Sequence, residues 1–133
     1  RNTNGIDYNR AMMLLAVMEK RTAYKVNACD AYINVIGGLS VQETGADLAV
    51  VISLASSFKD KPVRKSCVAF GEVGLTGEVR NVSNLNQRLK ECARLGFKTC
   101  IVPANSASKL VIPQGIDVVA ARTIYDALKA ALA

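Results

Sequence analysis

Two stretches of this chain are too apolar to be ordinary surface helices and too short to cross a membrane. Ala11 to Met18 is apolar without interruption, and Leu48 to Ala55 is apolar except for Ser53. Helices of that kind must be covered on most sides, by a sheet or by a neighbouring subunit. The first predicts a helix over Ile6 to Lys20, closed by Lys20 and Arg21 at the negative end of its dipole. The second predicts the buried central helix of the fold. Thr44 opens it, and Asp47, three residues on, has capping-box spacing.

The rest of the pattern alternates between helix and strand. Tyr32 to Ile36 reads as a strand ended by Gly37-Gly38, with Leu39 to Val41 resuming extended structure. Cys67 to Gly71 and Gly77 to Val82 read as two strands about a glycine-bearing turn. Leu85, Leu89, Cys92 and Ala93 share one face of an amphipathic helix that Ser83 is placed to cap and Gly96 to end. Thr99 to Val102 and Ile116 to Ala120 are further strands, and Thr123 caps a last helix with Asp126 at the third position. The expected fold class is α/β, in an α+β two-layer arrangement with a mixed sheet packed by helices, as one domain over 1–133. Only 5% of the residues are aromatic, so aliphatic side chains must build its core. The chain opens at Arg1 with no initiator Met and no signal peptide, and reads as a piece of a longer protein.

Several chemistries find no residues. The chain has no histidine, which removes Ser/His/Asp and Cys/His catalysis. Cys29, Cys67, Cys92 and Cys100 lack paired spacing, so they read as free buried thiols in a reducing cytosol, and no metal site is expected. Neither GxxxxGK[ST] nor GxGxxG occurs, and Gly71, Gly74 and Gly77 read as turn glycines. A Ser-Lys dyad is the one peptidase chemistry still open in principle. Asp47 reads as a capping residue rather than a catalytic one.

Lysine and arginine number 17 against 11 acidic residues, a net charge of +6. That balance permits contact with nucleic acid without proving it. The basic residues gather at Lys20-Arg21 with Lys25, at Lys59 to Lys65, and at Arg80 to Lys98.

Certain runs are more specific than composition. They are Asn4-Gly5-Ile6-Asp7-Tyr8-Asn9-Arg10, Gly45-Ala46-Asp47-Leu48-Ala49-Val50, Ala55-Ser56-Ser57-Phe58, Gly71 through Arg80, Leu95-Gly96-Phe97-Lys98 and Ile101-Val102-Pro103-Ala104-Asn105. With them the whole chain resembles the C-terminal, Lon-protease-like domain of the RadA (Sms) family of bacterial DNA-repair proteins. Thr44 and Asn81 stand where that family commonly has proline. The resemblance implies the fold of the Lon proteolytic domain, with Gly45 at its serine position and Asn86 at its lysine position, and so no peptidase activity. It implies a non-catalytic scaffold of a recombination and repair ATPase, a cytoplasmic ring helicase. This domain would hold a homohexamer together and offer DNA a basic surface, with the recombinase RecA as a further partner and no membrane. ATP, Mg and Zn would belong to the parent's ATPase and zinc-finger domains, and no cofactor to this one. The expected phosphate contacts are Lys20, Arg21, Lys59, Lys61, Arg64 and Arg80. Arg10 joins them as an outsider that reads equally well as a structural arginine. The alternatives are a protein-interaction domain without DNA affinity, and a Ser-Lys peptidase whose dyad has shifted to Ser40 or Ser53.

Overall fold

The computed structural model describes residues 1–133. Strand β1 (Asn2–Asn4) leads into helix α1 (Tyr8–Arg21), and β2 (Tyr32–Asn34) lies parallel to β1. Short 3-10 turns at Ile36–Gly38 and Thr44–Ala46 precede helix α2 (Asp47–Lys59). Strand β3 (Cys67–Ala69) is followed by a small antiparallel hairpin, β4 (Glu72–Val73) with β5 (Val79–Arg80). Helix α3 (Leu85–Leu95), strand β6 (Thr99–Pro103), a 3-10 turn at Ala104–Lys109, strand β7 (Asp117–Ala121) and helix α4 (Ile124–Ala131) complete the chain. The fold is α/β, with parallel and antiparallel pairings packed by helices, as the pattern predicts.

The three-stranded parallel sheet, in the order β3-β6-β7, is the frame. All five residues of β6 are buried, as a strand covered on both faces must be. Ile101 points toward a core shared with α1, α2 and α4, while Cys100 and Val102 point toward a smaller cluster made with Leu85, Leu89 and Cys92 of α3. Helices therefore lie on both faces of this sheet, α3 on one and the other three on the opposite one. That division follows from the period-two alternation of side chains along a strand.

Helices α1 and α2 run side by side in the same direction. Arg10, in the first turn of α1, meets Asp47, the first residue of α2. At the other end, Tyr24 packs on Phe58 with ring centroids 5.9 Å apart. The buried faces, Leu14, Leu15 and Met18 on α1 with Leu48, Val51, Ile52 and Ala55 on α2, form the middle of the larger core.

Several local expectations need correction. The first helix starts at Tyr8, because the Asp7 carboxylate accepts the Arg10 N–H and sets the cap there. No capping box forms at Thr44. Thr44 is drawn into the 3-10 turn, and the Leu48 N–H of α2 donates instead to the Gly71 carbonyl at 3.1 Å. Ser83 does not cap α3 either. The turn into that helix passes through Asn84 in the left-handed region at φ 56°, which asparagine tolerates better than most residues. By contrast, Gly96 ends α3 at φ 89°, and Thr123 and Asp126 form the expected reciprocal capping box on α4. Tyr32 to Ile36 is strand only through Asn34, and Val41 forms one parallel bridge with Ile6.

Candidate nucleic-acid interface

The parallel setting of α1 and α2 divides the site residues between two ends of the molecule. At the N-terminal end lies a buried ion pair. The Arg10 guanidinium donates through Nε to Asp47 Oδ1 at 3.0 Å and through Nη2 to Oδ2. The Val73 N–H donates to the same Oδ2 at 3.0 Å. Asp47 is 2% exposed, and the Arg10 side chain 29%. The hydrogen bond to Asp47 raises the pKa of Arg10, outweighing the cost of partial burial. Asp47 is thus a tie between α1, α2 and the β4-β5 hairpin rather than a cap, and Arg10 takes the structural role open to it.

Gly45 lies at the same end, buried, with its N–H···O contact made by the Gly71 N–H to the Gly45 carbonyl at 3.0 Å. A β-carbon at Gly45 would sit 3.1 Å from Cγ1 of Val82. Beside it Arg88 pairs with Glu43, donates to the Ser83 carbonyl, and lies 5.7 Å from the ring centroid of Phe70. The Asn86 amide oxygen accepts the Val111 N–H at 2.8 Å. Of the alternative serines, Ser53 opens onto a groove in which no lysine takes part.

The opposite end gathers basic residues from separate parts of the sequence. The Lys59 ammonium lies 5.2 Å from the Tyr24 ring centroid and 5.9 Å from that of Phe58. The second basic run is thereby joined to the first. Arg21 packs against Gly77, where a β-carbon would meet Arg21 Cβ at 3.1 Å, and Gly77 needs its positive φ of 82° to turn the hairpin. Only the hairpin tip reaches this end. Arg80 pairs across the hairpin with Glu72, next to the Val73–Asp47 bond, and so stands nearer the Asp47 end. The rest of the third run lies on α3 across the sheet. Lys20 and Lys61 are exposed at the Lys59 end, the one in the last turn of α1 and the other just beyond α2.

Two of the candidate cations already have partners. Arg80 forks onto Glu78, with Nε and Nη2 at 3.1 and 2.9 Å from Oε2, and stands 3.9 Å from Glu72. The Thr76 hydroxyl, the Glu78 backbone N–H and Arg80 hold the Glu78 carboxyl down to about 2. Arg64 donates to the Ala130 carbonyl at 3.4 Å, at the C-terminal end of α4. Arg10 is not brought to this end. Arg122, Tyr125 and Lys129, on the last helix and its approach, are exposed but not among the expected contacts. The i, i+4 spacing of Tyr125 and Lys129 was the available signal, and the ammonium stands 5.4 Å from the ring centroid.

The thiols take no part. Cys92 and Cys100 are buried as expected and Cys67 is half-buried, but Cys29, in the loop between α1 and β2, is exposed, against the expectation of buried thiols. Burial, with Cys92 beside it, pushes the Cys100 thiol up to about 12. No group of acidic or sulfur ligands is arranged to hold a metal ion, and no helix is long and apolar enough to cross a membrane.

The family model described as subunit ChlI of Mg-chelatase matches residues 10–106. DNA repair protein RadA of Bacillus subtilis (strain 168) is 47% identical over 132 residues, covering 99% of this chain. The chain belongs to the ChlI family, as a domain of the RadA type. RadA of Listeria monocytogenes is 45% identical over 132 residues and also covers 99% of the chain, and that of Streptococcus pneumoniae is 43% identical over 129 residues and covers 97%. The chain spans 29% to 31% of the length of these RadA relatives. Similarity to RadA extends through α4, which lies beyond the ChlI match.

Proposed function

We propose that this chain is the non-catalytic, Lon-like scaffold domain of a RadA-type repair and recombination ATPase, serving ring assembly and DNA contact. The observation that carries this reading is similarity to proteins named DNA repair protein RadA over nearly the whole chain. The loss of peptidase chemistry is supported by Gly45 and Asn86 at the two positions where the Lon resemblance puts serine and lysine. Neither can act as nucleophile or base. ATP, Mg and Zn would be bound by the parent protein outside these residues, which would act in the cytoplasm.

DNA contact is supported by the gathering of Lys20, Arg21, Lys59 and Lys61 at one end of the molecule, with Arg64 at the end of α4 and Arg80 on the hairpin beside the start of that helix. Cations that meet along one surface neutralise successive phosphates, and their effect grows with each contact. Reversing Lys59 and Lys61 to glutamate is expected to flatten the salt dependence of DNA binding. An unchanged slope would remove both residues from the interface.

Assembly with other chains is supported by apolar surface at β2 and α2. Ile36 is 87% exposed, and Leu39 and Tyr32 are also exposed. Nearby, Ile33, Val35, Val50 and Leu54 line an open groove of about 770 Å³. Light scattering across a concentration series tests this role. A particle near six times the 14.2 kDa of one chain is expected. A monomer at high concentration would take ring assembly away from this domain. Such rings with no DNA affinity would favour the protein-interaction reading, and RecA would then rank first among partners to try.

A further inference from the structure

Helix α4 has an outward face that none of the expected contacts uses. Ile124, Ala127, Leu128 and Ala131 are buried, leaving Tyr125 and Lys129 to solvent. The capping box absorbs the one acidic residue of the helix, Asp126, whose carboxylate accepts the Arg122 and Thr123 N–H groups.

Both ends of α4 abut basic residues. At its start, the Ile124 N–H donates to the Gly77 carbonyl at 2.9 Å, beside Arg21. There Arg122 and Arg80 line one polar depression with Asn81, Asn105 and the Glu78 carboxylate that Arg80 holds. At its end, the Arg64 N–H donates to the Ala131 carbonyl at 2.9 Å, and the Arg64 guanidinium reaches Ala130. Lys129 stands between them, steadied over the Tyr125 ring. An eight-residue helix is about 12 Å long, more than one phosphate step along a strand. Arg122 and Lys129 have no acidic partner, whereas Arg80 must release Glu78 to engage a phosphate.

We propose that the outward face of α4, with Arg122 and Lys129 as its contacts, is a track for the phosphodiester backbone of a nucleic-acid strand, joining the Arg21/Arg80 end to Arg64. This rests on the DNA-contact reading above and adds residues to it. Charge complementarity selects the partner: the face is basic, weakly apolar and edged by amide side chains, which suits a polyanion rather than an apolar protein surface.

The test compares two charge-matched double variants of the full chain, R122Q/K129Q and K90Q/R94Q. The second pair lies on the polar face of α3, across the sheet from α4. Binding of a fluorescein-labelled oligothymidylate is titrated by anisotropy over a series of KCl concentrations. All four side chains are exposed, and circular dichroism checks that both variants fold. R122Q/K129Q is expected to lower the slope of log K against log salt by about 1.4, at roughly 0.7 per phosphate contact on a single strand. K90Q/R94Q should leave it unchanged. Equal losses in the two variants would show a diffuse charge effect and overturn the track. An unchanged slope for R122Q/K129Q, with binding intact, would overturn it while leaving DNA contact elsewhere on the domain. If the unaltered chain binds no oligonucleotide, the DNA-contact reading itself fails and takes the track with it.

Discussion

Asp47 shows how much one buried carboxylate can organise. It holds a guanidinium from α1 and a backbone N–H from β4 while starting α2, so replacing it by alanine removes three ties at once. D47A is expected to cost about 3 kcal/mol, read from the urea midpoint at constant m; a loss below half of that would mean that the pair contributes little. Glu78 makes a second prediction at this scale. Its folded pKa of about 2 lies below the ordinary 4.5. The stability it contributes is therefore present above pH 4.5 and lost as pH falls through about 2. Thermal midpoints of E78Q should lie below the unaltered chain at pH 6 and converge with it near pH 2; parallel curves would refute this. The thiols give a third: maleimide should label Cys29 in the native chain, with Cys92 and Cys100 reacting only on unfolding. The exposure of Cys29 was not legible in the sequence. Neither was the partner of Asp47, because a pair 37 residues apart leaves no local trace, whereas a cap would lie within one turn.

At the scale of elements, the contrast between two helix starts is instructive. Thr44 and Thr123 each precede an aspartate by three residues, yet only Thr123 forms the box. The α2 start is covered by the Gly71 segment, which supplies a backbone carbonyl and leaves the threonine nothing to satisfy. T123A should therefore cost about 1 kcal/mol, while T44A should be nearly neutral; equal losses in chemical denaturation would contradict this account. The helices themselves were legible because their apolar residues recur at helical spacing, and Gly96 ends α3 where a left-handed residue is needed. Strand ends were less so. The hairpin strands are only two residues each, and Gly71 is held in place by packing: a β-carbon there would meet Val79 at 2.6 Å. No periodicity reports a constraint of that kind.

Across the whole molecule, the sheet separates two cores of unequal size, one under α1, α2 and α4 and a smaller one under α3. Amide exchange should find Leu89 to Ala93 less protected than Val51 to Ala55, since the smaller cluster gives α3 less burial to lose on opening. Uniform protection would show that the two faces open together. The side-by-side course of α1 and α2 has another result. Thirteen residues of helix put about 20 Å between the Arg10–Asp47 pair and the Lys59–Tyr24 contact, beyond the range at which substitutions usually couple. The two ends are thus separate experimental handles: a change at Asp47 adjusts how firmly the body holds together, one at Lys59 what it attracts, and the free energies of a combined variant should simply add.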